Sequence, residues 1–404
     1  MDGAPEAGSR TRRALGWFGR HRVMAALMVM ACALAPWEAS LASALLGAGG
    51  ASLSARAAEW ARDHGGASAI NWIENVWYSH HAPPKGGRPP IGAIPRAATP
   101  PVTAPPTAAP AHLPAPPPIV PLASAPLPGE GTWRPAGRWV GGVPAVYEAY
   151  LRPDRVHTSL VSGVAWMDTR LLRAELYSGS YVPGSGPWSV TAPVGPSEAT
   201  GLVAAFNSGF RLKDAQGGYY AEGRLAAPLR AGAASFVIYR DGSATVADWG
   251  RDATMGPAVV AVRQNLRLLV DGGAPVPGLA DNRTWGATVR SLVYVWRSGV
   301  GVTSDGALVY AAGPGLDVPS LASLLARAGA VRAMELDINY DWVNFAAYMP
   351  ADPSGPANAA NGSTLLAGMH GGPGRYFVPW WDRDFVALFS TAATTPGSPH
   401  GRGR

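Results

Sequence analysis

One cysteine, Cys32, occurs in 404 residues, so no disulfide can form within the chain and no cysteine-based zinc site can be built. Also missing are a Gly-rich phosphate loop, a Gly-x-Ser-x-Gly elbow and a His-Glu-x-x-His helix, which disfavours nucleotide hydrolysis, serine hydrolysis and zinc proteolysis. Positive charge is scarce where a polyanion would need it. The formal net charge is +6. Residues 1–22 carry +3 of it, from five arginines against Asp2 and Glu6, and Arg402 and Arg404 in the tail carry +2. The basic character thus belongs to the ends, and no nucleic-acid surface is expected.

What the chain has in quantity is proline and glycine, 39 and 50 residues, unevenly spread. The basic tail 1–22 precedes an apolar run, Val23 to Leu46, broken only by Glu38. That order reads as a transmembrane signal anchor with the N-terminus cytoplasmic and the C-terminal domain extracellular, single-pass in the cell membrane. The rival reading is a signal peptide cleaved at Ala42-Ser43-Ala44. Residues 47–82 read as a juxtamembrane helical region broken at Gly65-Gly66, with Ile70, Trp72, Ile73, Val76 and Trp77 on one face. Pro83 to Pro128 holds 17 prolines, and 83–130 is expected to be a semi-rigid linker, up to about 140 Å at roughly 3.1 Å per residue.

From Trp133 the pattern changes to short alternating strands, among them Ala145–Leu151, Leu172–Tyr177, Leu202–Phe206, Ala234–Tyr239, Ala244–Trp249, Leu266–Val270, Leu292–Trp296 and Leu308–Ala311, with Phe385–Ser390 available to close a sheet. Asp241-Gly242, Asp271-Gly272 and Asp305-Gly306 mark turns. One helix stands out, Ser320–Ala328, announced by Asp317 and Pro319 and stopped by Gly329. The expected fold class is α+β, a single domain over 131–390 with a large mixed or antiparallel sheet and few helices; 391–404 is expected to be a disordered tail.

After that helix, Val331 to Asp337 places two carboxylates two residues apart on an otherwise apolar strand. Residues i and i+2 of a strand share a face, so Glu335 and Asp337 are expected to point the same way, their Cα atoms roughly 6.5–7 Å apart. Upstream lie Ala204-Ala205-Phe206-Asn207-Ser208-Gly209-Phe210 and Arg297-Ser298-Gly299-Val300-Gly301, the latter followed by Asp305-Gly306. The ordered set resembles the phosphodiester glycosidase family, whose pattern runs Asn-Gly-Gly-Phe, then Arg-Thr-Ala-Ile-Gly with a later Asp-Gly, then Asn-Leu-Asp-Gly-Gly-Gly-Ser. The resemblance spans roughly Trp139 to Ser390 and implies an exported bacterial member. Against the last motif this chain reads Glu335-Leu336-Asp337-Ile338-Asn339-Tyr340-Asp341: Leu336 and Asp337 are kept and the glycines are gone.

Cleavage of a sugar–phosphate bond releases a good leaving group, so the site needs anion recognition, activation of water or a nucleophile, and stabilisation of positive charge on the sugar. Asp337 and Glu335 are the candidate catalytic pair. Arg297, whose planar fork suits phosphate, and Asn207, at a strand end, are candidate substrate contacts through the resemblance. Asn339 and Asp341 complete the candidate binding set. Asp337, Asn339 and Asp341 also alternate like oxygen ligands of a hard divalent cation such as calcium, although no EF-hand loop is present and no cofactor is required. His370 and the aromatic cluster Tyr376, Phe377, Trp380 and Trp381 stand nearby in sequence. The expected function is membrane-tethered hydrolysis of a sugar-1-phosphodiester in envelope or extracellular glycan. The alternative is a non-catalytic glycan-binding or scaffolding protein of the same fold. The expected partners are a glycan or sugar-phosphate and the membrane.

Overall fold

The computed structural model describes residues 24, 28–30, 32, 35–46, 52–66, 68–70, 72, 73, 82–95, 110–184, 186–280, 285, 294–378 and 383–391. The chain divides into two compact units, Met1–Ala67 and Ser68–Arg404. In the first, helix α1 (Met28–Leu46) has a mean hydropathy of 1.5 and is long and apolar enough to cross a membrane. Helix α2 (Leu53–Ala61) begins at Ser52, whose hydroxyl accepts from the Ala55 amide at 3.2 Å, an N-cap that satisfies an otherwise orphaned donor. The break expected at Gly65-Gly66 is there, with Gly65 at φ +88°. The Trp60 ring lies 5.9 Å from Trp37 and 4.4 Å from His64, and its indole donates to Ser40 Oγ at 3.0 Å. Trp72 and Ile73 are exposed, whereas Val76 and Trp77 fall outside the described residues.

Among its described residues, the second unit is built on three sheets in which every strand pairing is antiparallel. The large sheet runs β1 (Arg134–Val140), β2 (Val143–Leu151), β3 (Ser162–Met167), β14 (Leu308–Leu316), β13 (Val295–Thr303), β15 (Ala330–Glu335), β11 (Leu268–Asp271), β12 (Ala274–Pro275). A second runs β7 (Arg224–Ala227), β6 (Tyr219–Ala221), β10 (Val259–Gln264), β8 (Ala234–Tyr239), β9 (Ala244–Asp248). The third runs β17 (Gly362–Thr364), β16 (Phe345–Tyr348), β5 (Leu202–Asn207), β18 (Phe385–Ser390), β4 (Leu172–Tyr177). Helix α3 (Val318–Arg327) bridges β14 to β15; Asp317 caps it by accepting from Ser320 N at 2.8 Å.

Alternation along β14 divides its side chains between two layers of the core. On β14, Leu308, Tyr310 and Ala312 join the layer shared with the two smaller sheets, whereas Val309 and Ala311 join the layer under α3 with Leu321, Leu324 and Leu325. The Asp305-Gly306 turn closes the β13–β14 hairpin, with Gly306 at φ +93°. The strand expected at Leu292–Trp296 starts at Val295 and runs on to Thr303, because its glycines are needed: a Cβ at Gly299 would press on Leu325 and the Met334 carbonyl.

The spacer expectation is corrected for the described parts of Pro83–Pro128. Leu113 and Ile119 are buried in the α3-side layer. Leu113 N donates to Asp168 Oδ2 at 2.7 Å, Ile119 N to Gly131 O at 2.9 Å, and the Trp133 indole to Pro117 O at 2.8 Å. Gly86 N likewise donates to Val156 O at 2.6 Å. A proline-rich chain lacks amides for a ladder of its own, yet its extended shape suits it to lie across a sheet face, and a few apolar side chains suffice to hold it there. The compact unit therefore reaches back well before residue 131.

Candidate functional site

The three sequence motifs converge at one end of the sheets. Strand β15 lies beside β13 with Glu335 opposite Gly299, and the pairing continues one step further: Leu336 N donates to Ser298 O at 2.8 Å and Ser298 N to Asp337 O at 3.2 Å. Asp337 N then reaches Ser208 O at 3.2 Å. The Ser298 hydroxyl, in the place of the family's threonine, donates to the Asp337 carbonyl at 2.9 Å.

Asn207 is the clamp between these segments. Its Nδ2 donates to Ser298 Oγ at 3.0 Å and to Ser208 O at 2.9 Å, while its Oδ1 accepts from Tyr310 OH at 2.8 Å and from Asn344 N at 3.1 Å. Burial keeps the Tyr310 phenol protonated, as that donation requires. All four hydrogen-bonding positions of the amide are therefore used inside the protein, which gives Asn207 a task within the fold. Gly209 is needed because a Cβ there would meet the Asn265 side chain at 2.9 Å; Asn265 in turn accepts from Phe210 N and donates to the Glu335 carbonyl at 2.8 Å.

The two carboxylates have different surroundings. Glu335 is fully buried, with Arg297 Nη1 2.6 Å from its Oε1 and no hydrogen-bond partner for its Oε2. Burial pushes its pKa up to about 7; the Arg297 charge and hydrogen bond oppose that, and the charge of Asp337 adds to it. Arg297 also donates from Nε to Leu316 O at 3.0 Å and is 2% exposed, so it sits beneath the site as the partner of Glu335. Asp337 lies at the end of the strand. Its Oδ1 accepts from Asn339 N at 3.0 Å, and its Oδ2 lies 3.9 Å from Arg383 Nη1.

Beyond Asp337 the chain makes a second turn of the same kind, Asn339 Oδ1 accepting from Asp341 N at 3.0 Å. Ile338 is buried, Asn339 is half-buried and Tyr340 is exposed. Asp341 is buried; its carbonyl accepts from Arg375 and its Oδ1 lies 3.5 Å from His370 Nδ1. The Trp342 ring carries Arg383 on it at 4.5 Å and Arg375 at 5.8 Å. Among the described residues no group of three or more His, Cys, Asp or Glu side chains is arranged to hold a metal. One carboxylate oxygen of Asp337 and the amide oxygen of Asn339 are occupied in closing turns, which the alternating oxygen-bearing side chains of the sequence did not disclose.

The structure thus brings together Asn207, Arg297, Glu335, Asp337, Asn339 and Asp341. Sequence reasoning missed Arg383, Arg375, Asn265 and the buried pair of Arg263 Nε with Asp384 Oδ2 at 2.7 Å. No local pattern marks them, since they come from segments far apart in the chain, Arg263 from β10, Asn265 just after it, Arg375 from a short helical turn and Arg383 and Asp384 from the approach to β18. His370 does reach the site. Of the C-terminal aromatic cluster, Tyr376 is core and donates to Asn344 O at 3.0 Å, whereas Trp380 and Trp381 lie outside the described residues.

Comparison with known proteins adds the following. Residues 200–337, which hold Asn207, Arg297, Glu335 and Asp337, match the phosphodiester glycosidase family. The solved structure of the zebrafish N-acetylglucosamine-1-phosphodiester alpha-N-acetylglucosaminidase catalytic domain, auto-inhibited by pro-peptide, is similar at 14% identity and a TM-score of 0.39, over 63% of this chain and 87% of that one. A hypothetical protein from Synechocystis is similar at 10% identity and a TM-score of 0.30, over 61% of this chain and 62% of that one. No curated protein matches. By the likeness of residues 200–337, the chain carries a phosphodiester-glycosidase-like domain.

Proposed function

We propose that the chain is a membrane-tethered, exported hydrolase that cleaves the glycosidic bond of a sugar-1-phosphodiester in envelope or extracellular glycan. The observation that supports this most is the convergence of three distant segments on Asp337, with its carboxylate 3.9 Å from a guanidinium of Arg383. In this reading Asp337 takes the proton of a water that attacks the anomeric carbon. The bond from that carbon to the phosphate oxygen breaks, and the phosphate monoester leaves with the electron pair. Such a leaving group is stable as an anion and needs little protonation. Arg383 balances the phosphate charge. Glu335, kept in place by Arg297, acts from beneath: largely protonated below about pH 7, it spares Asp337 a second negative neighbour. Helix α1 supplies the tether.

Asp337→Asn keeps the acceptor for Asn339 N, so the variant should fold as the wild type does while losing turnover of sugar-1-phosphodiesters. Retained turnover would refute the assignment. The second reading, a non-catalytic glycan binder, is favoured by the filled loop in which Ile338, Asn339 and Tyr340 stand where the resembled family has glycines. A wild-type chain that binds such diesters and hydrolyses none would establish it.

A further inference from the structure

Tyr340 is the exposed member of the loop that replaces the family's glycines, and it does not stand alone. Its ring lies 5.9 Å from Trp296, tilted by 56°, and 5.4 Å from His370, tilted by 42°. Tyr340 is 46% exposed and the His370 side chain 34%, while Trp296 is half-buried against the core. The three rings therefore make an angled apolar surface with its back fixed and its front in solvent. Its position is fixed from both ends. Ile338 is buried in the α3-side layer, Asn339 N is tied to Asp337 and Asp341 N to Asn339, and Asp341 lies beside His370. The surface begins one residue past the amide that holds the Asp337 carboxylate.

We propose that Trp296, Tyr340 and His370 form a stacking platform for a pyranose ring beside Asp337, and that Tyr340 is the residue that makes this site prefer a glycosyl phosphodiester to a bare one. This rests on the reading of Asp337 as the acting carboxylate. A pyranose presents C–H groups on its faces and hydroxyls at its rim, so a ring face meets the C–H groups and the neighbouring polar groups meet the hydroxyls. Asn339, Asp341 and His370 supply those polar groups here. A row of exposed aromatics packed only on one another would gain more by burial, whereas a row set against buried carboxylates is placed to receive an amphipathic ring.

The test uses the full chain in nonionic detergent with Asp337→Asn as background, so that the probes survive, and calorimetric titration of three of them. These are the methyl diesters of glucose-1-phosphate and of N-acetylglucosamine-1-phosphate, and dimethyl phosphate as the sugar-free control. Tyr340→Ala should weaken at least one sugar diester about tenfold and Tyr340→Phe less than about twofold, with dimethyl phosphate and the melting temperature unchanged in both. Equal affinity of Tyr340→Ala and its parent overturns the platform. So does an equal loss in Tyr340→Phe, which would make the hydroxyl the contact, and so does failure of the parent to bind either sugar diester. Binding that depends on Tyr340, in a wild-type chain that turns over neither diester, keeps the platform and removes the hydrolase reading.

Discussion

Replacing Glu335 by glutamine should change how stability depends on pH. The Glu335 pKa is raised from 4.5 to about 7 in the folded chain because the carboxyl is fully buried. Between those values the folded state holds a proton that the unfolded state has released. The stabilisation is therefore complete below about 4.5 and is lost as pH rises through about 7. At about 1.36 kcal/mol per pKa unit, the group contributes about 3 kcal/mol to the decline. Glu148 behaves alike, raised to about 7 by burial against the opposing Tyr150 hydrogen bond and Arg134 charge. Carboxylates such as Asp241 and Asp252, held low by Ser243 and Arg251, act in the opposite sense only at lower pH, so the window is pH 5 to 8. Urea unfolding followed by tryptophan fluorescence should show the wild type losing stability across that window. Glu335→Gln, which keeps an acceptor for Arg297, should lose about 3 kcal/mol less. A variant with the wild-type slope would show that Glu335 is ionised throughout and that the buried pair is a permanent ion pair.

Asn207→Ala removes four hydrogen bonds and strands buried donors on Tyr310 and Asn344, which should cost about 3 kcal/mol; a change in melting free energy below about 1 kcal/mol would mean that the clamp is dispensable. Gly131 has φ +74°, and a Cβ there would run into the Ile119 carbonyl. Gly131→Ala should therefore lower the melting temperature and open residues 110–130 to limited proteolysis, whereas a free spacer would be cut as readily in the wild type as in the variant.

The strands, the helix cap at Asp317, the hairpin turns and the carboxylate pair were legible in the sequence, because alternation, capping chemistry and turn residues act over a few positions. Their order along the chain also carried the family resemblance. Four things were not legible. One was the docking of Leu113 and Ile119, since composition reports how little a proline-rich segment can bury and says nothing of a neighbouring sheet that can bury it. Another was the β13 register, where a run containing Gly299 and Gly301 looks like a strand end until Leu325, Met334 and Ala330 are packed against it. A third was the split between the carboxylates: two acids on one strand face look equivalent, and only burial, with Arg297 on one and Arg383 near the other, makes Glu335 a protonatable support and Asp337 the group at the edge. The last was the site's membership. Hydrogen bonds and ion pairs form between groups that are close in space whatever their separation in sequence, so Arg383, Asn265 and the Tyr340 platform became visible only when the chain was folded.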